Sequence, residues 1–303
     1  MFFDQYTKNH TLDEVDDLWR EAETRREQGN PEQALQVYNS VFGIISSEEF
    51  PQQYGMNHYY RGRTYEEMAY TANSSANLQN SISAYTMAAG FLTKEDYPAE
   101  FAMVRYYVGD AYLKLYDAKN TEEDLQSSIS AYQESLRYYS IASDPLYFAS
   151  ANNKLGNAYR KKGRLQNNPD DLAESLIFYN ESLRVFRKGI YPAEYAGVQN
   201  NIGNVYLELS DIDDKRSNIH RAIVAYGNAL EVFTIDKRPM EYATVQNNLG
   251  NAYFELARLE DKELNTEKAV SAYHESLRFF TVDRFPLEHK GIMDNIVKAY
   301  KNL

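Results

Sequence analysis

Cysteine is absent from the 303 residues, so the chain has no disulfide framework, no thiolate zinc site and no cysteine nucleophile, which suits a reducing compartment. Tryptophan occurs once, as Trp19. No stretch approaches the roughly 18 apolar residues of a membrane span, and the opening MFFDQYTKNHTLDEVDD has neither the basic start nor the apolar run of a signal peptide. Cations are also scarce. With 32 Lys and Arg against 44 Asp and Glu, the net charge is −12, which argues against a nucleic-acid binder, whose affinity is built on Lys and Arg neutralising phosphates. The expectation is a soluble cytoplasmic protein with no membrane or nucleic-acid partner. Any partner steered by charge is basic.

Catalytic signatures are missing too. His10, His58, His220, His274 and His289 form no i, i+4 pair and no short metal-ligand spacing, so no metal site is expected. No glycine-rich phosphate loop occurs. The doublets Glu48-Glu49, Glu66-Glu67 and Asp170-Asp171 are placed at helix ends or on solvent faces, whereas paired-carboxylate catalysis needs burial to shift a pKa. Trp19 is read as packing the first helix pair. Neither an enzyme nor a cofactor is expected.

What the chain has is tyrosine, 27 of them, and repetition accounts for many. Pro51, Pro98, Pro145, Pro192, Pro239 and Pro286 stand 47 apart, as do Gly62, Gly109, Gly156, Gly203 and Gly250, with Val297 in the sixth place. Two tyrosine series keep the same step, Tyr65 to Tyr300 and Tyr38 to Tyr273. Each unit reads as two helices. The first opens at the proline, whose missing N–H costs nothing there, and runs through apolar residues three and four apart, as in Tyr195, Val198, Ile202 and Tyr206. A polar turn follows. Thr121 with Asp124, and Thr11 with Glu14, look like capping boxes, and Asn168 before Pro169 looks like a helix start. The second helix carries a small residue, Tyr and another small residue: Ser175, Tyr179 and Ser182, then Ala222, Tyr226 and Ala229.

The pattern apolar-x-x-Leu-Gly-x-x-Tyr, then Ala-x3-Tyr-x2-Ala and a proline, resembles the tetratricopeptide repeat over nearly the whole chain, in a 47-residue variant of a unit that commonly has about 34. The resemblance implies an all-α solenoid of helix hairpins wound as a right-handed superhelix. The expected division is an N-terminal segment 1–10, six pairs at 11–49, 50–96, 97–143, 144–190, 191–237 and 238–284, and a capping helix 286–303.

With the glycine numbered 8 in each first helix, positions 4, 7, 8 and 11 share the packing face and 2, 6, 9 and 13 lie opposite. In tetratricopeptide arrays that opposite side faces a concave groove. There the chain places Asn157, Asn201, Asn204, Asn248, Asn251 and Asn295, with Lys154, and earlier along the chain Tyr60, Arg63 and Tyr107 beside Met56 and Met103. Asparagine is a poor mid-helix residue. Two readings account for so many: the amides grip the backbone of an extended peptide, as the resemblance implies, or they bridge neighbouring repeats. Asn200 and Asn247, at position 5, are read as a structural pair. Family members also clamp a C-terminal carboxylate with cations at positions 5, 2 and 6 of successive units, but Asn200, Gly291 and Asn295 stand in those places and no such clamp is expected. Lys154, Arg160 and Lys161 form a local cationic group able to hold an acidic side chain. The favoured function is a scaffold for an extended peptide or partner protein. The alternatives are the sensor arm of a larger bacterial or archaeal signalling protein, favoured by a reading frame open past Leu303, and a self-assembling homo-oligomeric array.

Overall fold

A computed structural model describes residues 2–71 and 74–302, with side chains from 8 to 71 and from 74 to 301. All regular structure in these residues is helical. The chain divides into two compact units, residues 1–147 and 148–303. The first holds three helix hairpins: α1 (Phe2–Glu27) with α2 (Pro31–Val41), α3 (Pro51–Met68) with α4 (Ser74–Phe91), and α5 (Pro98–Lys119) with α6 (Glu122–Ser135). The second holds most of α7 (Pro145–Gln166), followed by α8 (Pro169–Leu183), α9 (Pro192–Leu209), α10 (Lys215–Leu230), α11 (Pro239–Ala257), α12 (Lys262–Leu277) and α13 (Pro286–Asn302).

Every proline of the 47-residue series is the first residue of a helix. A residue before proline is disfavoured in the α region, so each proline both ends the preceding turn and starts the next helix. The turn inside a hairpin is also encoded. Asn120, Asn167, Asp214 and Asp261 have φ of 58, 51, 39 and 43°, and Gly29 turns the first hairpin at 77°. Asn and Asp tolerate this left-handed region because their short side chains bond locally.

Two cap readings need correction. α1 runs unbroken from Phe2, so Thr11 and Glu14 lie inside a helix rather than at its start. Thr121 does precede α6, but its hydroxyl donates to the Asp124 carboxylate instead of accepting from the backbone. Asn168 does cap α8, its carbonyl accepting from the Asp170 N–H at 3.0 Å.

The hairpins close on one recurring contact. Tyr38, Tyr85, Tyr132, Tyr179, Tyr226 and Tyr273 are each no more than 1% exposed, and five of these rings lie over the glycines of the preceding helix. A Cβ at Gly62, Gly109, Gly156, Gly203 or Gly250 would fall 2.5 to 2.9 Å from a tyrosine ring carbon. Leucines, isoleucines, valines and alanines fill the remaining space, with Leu78, Ile82, Val104 and Ala111 in the first unit and Ile219, Ala222, Val245 and Leu256 in the second.

The first unit also buries a histidine. His58 on α3 is 7% exposed among Phe42, Tyr54 and Phe91, and its Nδ1 lies 3.3 Å from the Arg61 guanidinium. Burial first, then the Arg61 charge, lowers its pKa from the ordinary 6.5 to about 4. The folded state therefore keeps this ring neutral, while the unfolded chain takes up a proton below about 6.5. Stability present above that pH is lost as pH falls toward about 4, by on the order of 3 kcal/mol at most. Urea unfolding of His58→Gln at pH 7, 6 and 5 is expected to show a shallower loss than wild type, and equal slopes would refute the neutral ring.

Candidate functional site

In the second unit the asparagines form an ordered ladder. The Asn201 Nδ2 donates to the Asn157 Oδ1 at 3.1 Å, Asn248 to Asn204 at 3.1 Å, and Asn295 to Asn251 at 3.3 Å, each across 44 residues. The same three carbonyl oxygens accept from buried tyrosines: Tyr179 donates to Asn157 at 2.7 Å, Tyr226 to Asn204 at 2.8 Å and Tyr273 to Asn251 at 2.8 Å, each 22 residues on. Both lone pairs of each position-9 carbonyl are thus used. Three rungs result, each built from a tyrosine, a position-9 asparagine and the position-6 asparagine of the following unit.

The rungs settle which part of each amide is left. Among the described residues, no acceptor takes the Nδ2 of Asn157, Asn204 or Asn251, and no donor reaches the Oδ1 of Asn201, Asn248 or Asn295. All six residues are half-buried. Every rung therefore holds one N–H donor and one carbonyl acceptor in reserve, and these have the polarity of a peptide unit.

Position 5 divides. Asn200 accepts from Asn248 at 3.0 Å, and Asn153 accepts from Asn201 at 3.4 Å. The Asn247 Oδ1, by contrast, is buried without a donor. The donor that would serve it, Asn295, bonds Asn251 instead.

The cationic group is not spare. Arg160 lies 3.6 Å from the Glu208 carboxylate, and Lys154 and Lys161 are each engaged within the chain. Burial raises the Glu208 pKa, against the lowering effect of Arg160, Arg164 and Lys161. Two acidic doublets also depart from the solvent placement. Glu66 is 7% exposed and accepts from the Tyr85 hydroxyl and the Lys114 ammonium, both at 2.6 Å, and Asp171 is equally buried against Lys162 at 2.8 Å. Buried carboxylates of this kind hold hairpins together by charge-assisted bonds.

The corresponding face of the first unit is aromatic. Tyr60 stacks on Tyr38 at 5.8 Å and meets Trp19 edge-on at 5.1 Å, while Trp19 also donates to Asn57 at 3.0 Å. Tyr107 stands edge-on to Tyr59 at 5.3 Å, and Arg63 lies over the Tyr107 ring at 5.2 Å. Met56 and Met103 are half-buried against the same core. A cavity of about 650 Å³ lies elsewhere in this unit, beside Thr93, Phe101, Glu134 and Tyr138. Among the described residues no cluster of His, Asp or Glu could hold a metal, and no helix is long and apolar enough to cross a membrane.

No protein-family model matches the chain, and no curated protein matches it. Among solved structures, the TPR2AB-domain:pHSP90 complex of yeast Sti1 is similar at 16% identity and a TM-score of 0.35, covering 95% of this chain and 99% of that one. The Lin0763 protein of Listeria innocua is similar at 12% identity and a TM-score of 0.38, covering 82% and 86%. The tetratricopeptide-like fold rests on this chain's own repeating hairpins.

The tyrosine hydroxyls complete the rungs from outside the groove positions that the helix periodicity picks out. A constant offset of 22 residues from each position-9 asparagine to the tyrosine of the next helix was the available signal.

Proposed function

We propose that the chain is a non-enzymatic protein-interaction scaffold, and that the asparagine rungs hold the backbone of an extended peptide or partner segment. One observation carries this reading: each rung is fixed internally yet keeps one donor and one acceptor. An amide held by two bonds loses little further freedom on binding, which lowers the ordering cost of association. Three rungs contributing about 1 kcal/mol per bond reach only millimolar to micromolar affinity, so side chains of the ligand supply the rest. In the first unit, Tyr60, Tyr107 and Arg63 are the groups proposed to contact a peptide held on that unit's own face.

Alanine is a poor probe of the rungs, because Asn204→Ala would strand the buried Tyr226 hydroxyl. Aspartate is better: it keeps the accepting oxygen and exchanges the spare N–H for an anionic oxygen, and Asp110 shows that a carboxylate can stand in this place, accepting from Tyr132 at 3.1 Å. In the triple variant Asn157→Asp, Asn204→Asp, Asn251→Asp, helicity is expected to persist. Peptides selected on the wild-type chain from a displayed random decapeptide library are expected to bind it at least about tenfold more weakly. Full affinity in a folded triple variant would leave the rungs a purely structural device.

A further inference from the structure

Arg63 differs from the paired cations nearest to it. Arg26 bonds Glu67 and Glu23, each at 2.8 Å, and Lys114 bonds Glu66 at 2.6 Å and Asp110 at 3.1 Å. Among the described residues, no carboxylate lies within ion-pair distance of Arg63. Its neighbours are rings instead. The guanidinium carbon is 5.2 Å from the Tyr107 centroid and 6.0 Å from that of Tyr59, and one Nη donates to the Tyr59 hydroxyl at 3.3 Å. Its charge also acts on the hydroxyls of Tyr85 and Tyr147.

A guanidinium carries five N–H donors, and one of them is used here. Stacking on tyrosine offsets part of the cost of taking this charge out of water, but ring faces offer no strong hydrogen-bond acceptor. Of the phenols nearby, Tyr85 already donates to Glu66 at 2.6 Å and Tyr59 accepts from Arg63 itself, so neither supplies the guanidinium with an anionic partner. A half-buried guanidinium stacked on rings, with four donors unused and no carboxylate beside it, is complementary to an oxyanion.

We propose that Arg63, flanked by Tyr60 and Tyr107, is the receptor for an oxyanion on a peptide held along this face, a carboxylate or phosphorylated side chain. The proposal rests on the scaffold reading above. It differs from a terminal-carboxylate clamp, because the cation stands at position 9, between rings, and not at positions 2, 5 or 6.

The test uses the full chain and decapeptides from the random display library, resynthesised with Glu, Gln or phosphoserine at the acidic position. Peptides weakened by Tyr60→Leu are expected to carry Asp or Glu in one register. Replacing that Glu by Gln should weaken binding to the wild-type chain roughly tenfold, and Arg63→Gln should abolish the difference while Arg63→Lys keeps part of it. A phosphoserine copy that binds more tightly than the Glu copy assigns the site to phosphate, and a weaker one to carboxylate. Peptides that depend on Tyr60 yet show no acidic preference and no response to Arg63→Gln would overturn the receptor and leave the scaffold standing. If no selected peptide responds to Tyr60→Leu or to the triple aspartate variant, both readings fall.

Discussion

Alanine in place of Gly203 is expected to destabilise the second unit by about 1–3 kcal/mol, even though alanine is the better helix former by about 1 kcal/mol. The two effects oppose each other and geometry decides between them. A Cβ at Gly203 would stand 2.5 Å from Cε1 and 2.7 Å from Cδ1 of Tyr226. That ring cannot retreat, because it is fully buried and its hydroxyl is tied to Asn204 at 2.8 Å. α9 and α10 would have to move apart. Gly197, in the same helix, has nothing within 4 Å of such an atom, so Gly197→Ala is expected to stabilise by about 0.5–1 kcal/mol. Urea denaturation, with hydrogen exchange localised to α9 and α10, reads both changes. If the two alanines shift stability in the same direction, close approach is not why glycine recurs.

The tyrosine side of the same contact supplies a larger effect. Tyr226→Ala removes a wholly buried ring from between two helices and is expected to cost about 3–5 kcal/mol, the range for deleting a buried aromatic. Tyr226→Phe separates packing from hydrogen bonding. It keeps the ring and leaves the Asn204 carbonyl with only the Asn248 donor, and the expected loss is about 1 kcal/mol. Chemical denaturation of both variants gives the comparison. A phenylalanine variant as unstable as the alanine one would place the energy in the hydroxyl; one indistinguishable from wild type would make the rung's tyrosine bond dispensable.

Much of the fold was legible because the residues that set it act locally. Proline opens a helix wherever it stands, and left-handed Asn120 and Asn167 follow the ends of α5 and α7 while left-handed Asp214 and Asp261 precede α10 and α12, so a 47-residue step in prolines marks helix starts without any tertiary knowledge. The buried tyrosines were legible for a similar reason: a strict period in a large residue, set against a strict period in glycine, reports a contact. Local patterns misled where the chain overrode them. Thr11 and Glu14 have the spacing of a helix cap, but α1 passes straight through them. Glu66 and Asp171 belong to acidic doublets that read as helix ends or solvent faces; Asp171 is at a helix end, in the first turn of α8, yet both carboxylates are buried, each against a lysine.

The candidate site was legible only in part. Periodicity placed Asn157, Asn201, Asn204, Asn248, Asn251 and Asn295 on one face, but it could not separate gripping a ligand from bridging repeats. The two are not exclusive in the geometry. The amides bridge through one half of each group, and the other half lies outside the bridge. Arg63 was visible as a cation on this face; its lack of a carboxylate was not, since that depends on Arg26 and Lys114 taking the acids around it. Asn247 shows the reverse case, a sequence twin of Asn200 left without its donor.

The rungs of the second unit join only adjacent hairpins. Under a pulling force, such a stack has no long-range strut to share the load, and each junction bears the tension with its own bonds and packing. The unit would extend in steps of one hairpin, lengthening like a chain of clasps that open singly.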